Sequence, residues 1–494
     1  MNKFEAPLFD RLVTHAKGDN ISFHVPGHKS GRGLDEPALA YYKSLLKLDM
    51  TEISGLDDLH HPEEVIFEAQ RLAADCFGAD ETFFLVNGST VGNLAMIMSV
   101  CRRGELLLVQ RDVHKSVIHG LMLAGARAVF LNPEIDPVSG VTLGLKAESV
   151  RLALHKYPEA KGLLVTRPSY YGTAMALEPI AAVLHEQDKL LLVDEAHGAH
   201  FGFHAALPVS ALACGADAVV QSTHKLLTSM TMGAMLHVQG DLIDRKEIKR
   251  FLTMLQSSSP SYPLMASLDV SRRQMHTQGE KLLSQGLAVV QQFRDRISAL
   301  PRFAIKQPVD EQYGVRQDPF KVVIEDSCGL LSGFELKDAL ESRGCYVELA
   351  DPRAILLVFS LASSAQDVER LIAAMEDIIS TDVGAQHVTE GTLTAQHGFS
   401  SSALPEISEP VLFGEYESKH KGNASLPLDE AVGMLSAEMV VPYPPGIPVL
   451  CPGERISEDV VRYLAQLVAM GARVHGLVQG DMTMLSVLIA VKDQ

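Results

Sequence analysis

Seven short apolar runs, each followed by a stretch long enough for a helix, restrict the fold of this chain more than any other feature. They are TFFLV (82–86), ELLLV (105–109), RAVFL (127–131), GLLVT (162–166), LLLVD (190–194), DAVVQ (217–221) and AMLHV (234–238). A strand with one face in water alternates apolar and polar residues, whereas a strand covered on both faces does not. Continuous runs separated by helical segments therefore predict a mostly parallel α/β sheet. In such a sheet the ligand sits beyond the carboxyl ends of the strands. The polar residues just after each run are the first place to look for a site.

From about residue 270 to 380 the pattern changes. SLDVSRRQMHTQGEKLLSQGLAVVQQFRDRIS (267–298) reads as one long helix leading into a smaller α/β unit with KVVIE (321–325), GFELKDALESRGCYVEL (333–349) and AILLVFSL (354–361). Residues 381–410 are rich in Gly, Ser and Thr and read as an irregular connection. The prolines of VVPYPPGIPVLCPGE (440–454) forbid a helix there. The expected division is 1–265 for an N-terminal segment plus a large domain, 266–385 for a small α/β domain, 386–404 for a linker and 405–494 for a C-terminal domain. The net charge of −18, with no long run of Lys or Arg, argues against a general nucleic-acid binder and suits a cationic small molecule better. No apolar run reaches the roughly 18 residues of a membrane helix. The six cysteines are scattered without a CxxC pair, and the N-terminus is polar. Both features predict a cytoplasmic protein without a disulfide framework, zinc ribbon or signal peptide.

The strand ends carry the chemistry. After the first run comes NGSTVGNLAMIMSV (87–100). Gly88 allows a tight turn, and Ser89 or Thr90 can cap the next helix, whose free N–H groups and partial positive charge could seat a phosphate. Many capped helices bind nothing. His114, in QRDVHKSVIHG (110–120), falls near a helix start and is either a structural histidine or a ring lying on a flat ligand. Asp194 ends the fifth run, and its carboxylate either caps locally or points into a site. Lys225, in QSTHKLLTSM (221–230), stands between apolar segments. Lysine is seldom buried without a partner, and burial lowers its pKa toward that of a nucleophile. The plain alternative is a surface lysine just past a strand.

In combination, Asp194, Lys225 and a phosphate seat are what pyridoxal phosphate requires. The lysine amine can condense with the aldehyde, and the carboxylate can keep the pyridine nitrogen protonated. Two unit charges about 4 Å apart gain roughly 4 kcal/mol at an effective dielectric near 20. That corresponds to about three pKa units. Ser222 and His224 flank the lysine and can add donors to the phosphate.

The strings FHVPGHKSG (23–31), LDDLHHPEEVI (56–66), NGSTVGN (87–93), RDVHKS (111–116), VDEAHGAH (193–200), QSTHKLL (221–227), QSSSPSYPLMASLD (256–269) and PYPPGIPVLCPGE (442–454) resemble, in order and over nearly the whole chain, the Orn/Lys/Arg decarboxylase family. The length is similar to its short form, without the N-terminal wing domain of the longer enzymes. The resemblance implies the aspartate-aminotransferase (type I) pyridoxal-phosphate fold, with a seven-stranded mostly parallel sheet, a small α/β domain and a C-terminal decarboxylase domain. It implies decarboxylation of arginine, lysine or ornithine, with arginine slightly favoured, feeding polyamine synthesis. Lys225 would carry the cofactor, Asp194 would pair with the ring nitrogen, and His114 would stack on the ring. Gly88, Ser89, Thr90, Ser222 and His224 would hold the phosphate, Ala196 would be a further cofactor-binding residue, and Lys225, Asp194, His114 and His224 would form the catalytic set. Ser258 would reach the phosphate of a partner subunit, making the active unit at least a dimer. Glu438, His197 and Tyr171 would face the substrate. Arg167, in TRPSYYG (166–172), stands where relatives usually show Asn, and is expected to alter the pocket rim.

Aminotransferases of this fold grip the α-carboxylate with an arginine from the small domain. LLVFSLASS (356–364) has none, although Arg353 is close by. Rival readings are another enzyme with this cofactor, such as an aminotransferase or aldolase, a non-catalytic regulatory relative, and a metalloprotein. Retention of Lys225 and Asp194 weighs against a regulatory relative. His24, His28, His60, His61, His197, His200 and His204 are tempting as ligands, but Gly198 and Gly202 break a helical face and no HExxH occurs. No metal site is expected.

Overall fold

The computed structural model describes residues 2–136, 141–306, 314–381, 406–413, 420–443, 447–469, 472–478 and 481–490. All seven apolar runs become strands of one sheet: β1 Glu81–Leu85, β2 Leu106–Gln110, β3 Arg127–Leu131, β4 Gly162–Thr166, β5 Leu190–Asp194, β6 Ala218–Gln221 and β7 Ala234–Val238. Their order is β1-β7-β6-β5-β4-β2-β3, and an eighth, two-residue strand, Val411–Leu412, pairs antiparallel with β3 at the edge. Neighbours from β6 to β3 are parallel, and β7 runs antiparallel between β6 and β1. Both faces are covered. Leu106 and Leu108 enter one buried cluster, and Leu107 and Val109 enter the other. That two-sided burial is why the runs carry no polar alternation.

Helix α1 (Gly88–Val100) follows β1, and α2 (Lys115–Ala124) follows β2. Helix α3 (Tyr262–Ile297) begins before the expected residue 267, because Pro263 occupies its first turn. Proline is tolerated there, since that N–H has no helical partner anyway. A second sheet, all antiparallel, has the order β8-β9-β11-β10 from β8 (Phe303–Lys306), β9 (Lys321–Asp326), β10 (Leu349–Ala350) and β11 (Ala354–Val358). The 386–404 segment lies outside the described residues.

Nearer the C-terminus, the helix Glu458–Ala469 and the pair His420–Pro427 with Met484–Ala490 surround a core of Leu450, Val460, Leu464 and Leu485. Arg111 fastens this part to the main sheet. Its guanidinium donates to both Glu454 oxygens, at 2.6 and 2.8 Å, and to the Val449 carbonyl at 2.7 Å. No described helix is long and apolar enough to cross a membrane.

Candidate active site

The carboxyl ends of β5 and β6 and the starts of α1 and α2 meet at one place. Close packing brings them there. A Cβ on Gly92 would lie 2.4 Å from Val220 Cγ2, so only glycine lets α1 sit this low on β6. The next residue, Asn93, is fully buried and splits its amide protons between Asp194 Oδ2 (2.8 Å) and Ser116 Oγ (2.9 Å). Asp194 Oδ1 accepts the Ala196 N–H at 3.1 Å. Asp194 is 2% exposed, and among the described residues it has only these two neutral donors and no ion pair.

His114 is the N-cap of α2. Its Nδ1 accepts the Ser116 backbone N–H at 3.2 Å and faces Ser116 Oγ at 2.8 Å, which leaves the neutral ring's proton on Nε2. Burial lowers its pKa; the Asp194 carboxylate pulls it up, and Lys225 pushes it down.

Lys225 sits in a single helical turn, Thr223–Leu226, just past β6. Its Nζ lies 2.9 Å from His197 Nε2 and 5.9 Å from the centre of the Tyr170 ring. Burial lowers its pKa against the upward pull of Asp194 and Glu348. The Tyr170 ring packs on His197 with centroids 4.6 Å apart. On its other side, His197 Nδ1 is 2.9 Å from Nζ of a second lysine, Lys321, at the start of β9. Burial first, then the two lysines, hold the His197 imidazolium well below its ordinary range.

Helix α1 opens at Gly88 (φ 73°), and its N-cap Asn87 makes no side-chain cap bond. Ser89 and Thr90 therefore lie inside the first turn and do not cap it. Ser222 Oγ donates to Ser89 Oγ at 2.9 Å, joining the lysine turn to this helix start. His224 Nδ1 binds the Gly233 carbonyl at 3.0 Å. Its Nε2 can donate to an anion only when the ring is protonated, and burial works against that.

Other expected residues lie apart from this cluster. Arg167 is 3% exposed and is not at a pocket rim. It donates to Glu195 (3.0 Å) and to the carbonyls of Met175 and Val209 (both 2.9 Å), beneath the strand ends. The Tyr171 hydroxyl donates to Asp351 Oδ2 at 2.8 Å. Arg353 is exposed beside that pair, and Ser258 and Glu438 are exposed as well. Neither Ser258 nor Glu438 shows a side-chain contact to the Lys225 cluster among the described residues. Asn93, Ser116, Tyr170 and Lys321 were not singled out from sequence. Lys321 carried the same signal as Lys225, a lysine bordering an apolar run. No group of three or more His, Cys, Asp or Glu that could hold a metal occurs among the described residues.

Comparison with known proteins follows the same lines. Residues 6–323 match the family described as Orn/Lys/Arg decarboxylase, major domain, and residues 409–480 match its C-terminal domain. The chain belongs to the Orn/Lys/Arg decarboxylase family. The uncharacterized protein YaaO of Bacillus subtilis (strain 168) is 41% identical over 475 residues, 95% of this chain and 96% of that one. Arginine decarboxylase of Bacillus anthracis is 37% identical over 503 residues, 100% of this chain and 98% of that one. The Francisella novicida lysine decarboxylase LdcF is similar in fold, with a TM-score of 0.83 at 22% identity over 99% of this chain and 81% of that one. The fold is that of type I pyridoxal-phosphate enzymes.

This decarboxylase-family chain has a donor set that fits pyridoxal phosphate. Asp194 is a buried carboxylate served, among the described residues, only by neutral donors, which leaves acceptor capacity for one cationic N–H. The uncapped start of α1, with the Ser89, Thr90 and Ser222 hydroxyls beside it, suits a phosphate. Lys225 supplies the amine.

Proposed function

We propose that the protein decarboxylates a basic amino acid, arginine in the first place, to its amine and carbon dioxide, with pyridoxal phosphate held by Lys225, Asp194, His114 and the start of α1. The observation that carries this is the convergence of one half-buried amine, one buried carboxylate with no ion pair among the described residues, and one uncapped helix start. The name and full-length coverage of the Bacillus anthracis relative favour arginine. Lysine and ornithine are the alternatives.

Bound there, pyridoxal phosphate supplies an aldehyde for the substrate's amine and a ring that takes up the electron pair of the breaking bond. The chain's own residues do the rest. Asp194, oriented by Asn93 and Ala196, holds a proton at the pyridine nitrogen. His114 covers one ring face, its orientation fixed by Ser116. Gly88, Ser89, Thr90, Ser222 and a protonated His224 hold the phosphate, and Ser258 reaches that of a partner subunit. Lys225 Nζ and His197 Nε2, 2.9 Å apart, are the proton sources for the α-carbon after carbon dioxide leaves. Tyr171, tied to Asp351, shapes the pocket wall, and Glu438 takes the substrate's distal cation. The unit is then at least a dimer, working in the cytoplasm, its amine product feeding polyamine synthesis. The domain division is that of the sequence reading, with Val411–Leu412 lent to the main sheet.

An equimolar mixture of arginine, lysine and ornithine, analysed by mass spectrometry with carbon dioxide release, tests this. The expected result is the arginine-derived amine with stoichiometric carbon dioxide. Keto-acid formation without carbon dioxide would replace the proposal with an aminotransferase.

A further inference from the structure

Lys321 is a buried charge for which the reaction above has no use. It is 1% exposed, its Nζ donates to the Tyr170 carbonyl at 3.0 Å, and it lies 2.9 Å from His197 Nδ1. No ion pair to it occurs among the described residues. The Asp318 and Glu348 carboxylates act on it from farther off, and Lys225 opposes them. The backbone pins it in place: Gly172 has φ +90°, and a Cβ there would lie 2.7 Å from Lys321 Cβ.

An ammonium only donates. With Lys321 charged, His197 Nδ1 must accept, so the single proton of the neutral imidazole sits on Nε2. That Nε2–H faces Lys225 Nζ at 2.9 Å, and an N–H···N bond needs a lone pair on Nζ. We propose that Lys321 is a positioning residue that sets the tautomer of His197 and, through it, holds Lys225 as a neutral amine ready for the cofactor's aldehyde. The proposal rests on the reading of Lys225 as the cofactor lysine.

The protonation states agree with this geometry. Burial brings the Lys321 ammonium down to about 8, so it is largely charged at neutral pH. His197 is held neutral by burial and by both lysines. The other titratable groups facing the cluster are the carboxylates of Asp194, Glu348 and Asp318, the rings of His114 and His200 and the Tyr170 phenol. Each remains in the variants below.

The test uses the full chain freed of cofactor and mixed with pyridoxal 5′-phosphate over a range of pH. The rate of attachment to Lys225 is read by borohydride trapping and peptide mapping. In Lys321→Met, mapping should still find Lys225, while the midpoint of the rate–pH curve rises by about one pH unit, making attachment about tenfold slower below it. Lys321→Leu should behave alike and serves if the methionine variant does not fold. His197→Leu, which offers neither an acceptor to Lys321 nor an N–H to Lys225, should shift the midpoint similarly, and the double variant no further than either single change. An unchanged midpoint in a folded Lys321 variant overturns the proposal. So does a Lys321 effect that persists in His197→Leu, because that would be direct charge repulsion without the histidine. Wild-type chain labelled at a residue other than Lys225 overturns the cofactor-lysine reading instead, and this proposal with it.

Discussion

Replacing Arg111 with methionine should loosen the C-terminal part of the chain from the main sheet. The Arg111 and Glu454 side chains are 8% and 15% exposed and meet through two bonds of 2.6 and 2.8 Å. Arg111 also holds the Val449 carbonyl, while Glu454 accepts the Cys451 N–H at 2.9 Å. Arg111→Met leaves the Glu454 carboxylate buried and without its cation, which costs about 3–5 kcal/mol. At about 1.4 kcal/mol per tenfold, the undocked population grows by roughly a hundredfold to a few thousandfold. Limited proteolysis reads that population when opening and closing outpace cleavage. Cuts at the boundary of residues 447–456 should accelerate by a comparable factor. Adding Glu454→Leu removes the stranded charge and should restore most of the resistance, since an apolar pair in place of a buried ion pair is near neutral. Cleavage of Arg111→Met at the wild-type rate, or a double variant as labile as the single one, refutes this reasoning.

Two further predictions concern the site. Asn93→Asp places a second carboxyl 2.8 Å from Asp194 Oδ2, where two charges would repel by about 6 kcal/mol at an effective dielectric near 20. While the introduced carboxyl keeps its one proton, it can still donate to Asp194, though no longer to Ser116 as well, and its ionisation then sets the two charges against each other, so affinity for pyridoxal phosphate should fall as pH rises. An absorbance titration with the pH profile of the wild type would contradict this. Gly172→Ala forces a Cβ at φ +90° against Lys321 Cβ (2.7 Å) and Gln317 Nε2 (2.8 Å). The strain of about 1–3 kcal/mol should lower the thermal midpoint. It should also slow Lys225 labelling as Lys321→Met does, and unchanged values of both would contradict it.

The sheet was legible because burial on two faces leaves an unbroken apolar run, and each of the seven runs is a strand. Asp194 and Lys225 were legible for a related reason: parallel strands deliver their last residues to one edge, so polar residues there meet. Val411–Leu412 was not, since two residues carry no periodicity. The start of α3 was hidden by Pro263, which reads as a breaker and acts as a first-turn residue. Arg167 shows the limit for single side chains. Its position at the end of β4 was clear, but whether it points to the pocket or beneath it depends on Glu195, 28 residues on. Asn93 stood inside a quoted string without being read, because its role depends on the close approach that Gly92 permits. Lys321 sits far along the chain from His197, 124 residues away, and only the packing of the small sheet against Tyr170 joins them.

The most direct measurement is the site of covalent attachment in the purified full chain. After saturation with pyridoxal 5′-phosphate and borohydride reduction, peptide mass mapping should find one pyridoxyl group, on Lys225, with Lys321 unmodified. A chain left unlabelled, or labelled on Lys321 or on a surface lysine, would contradict it.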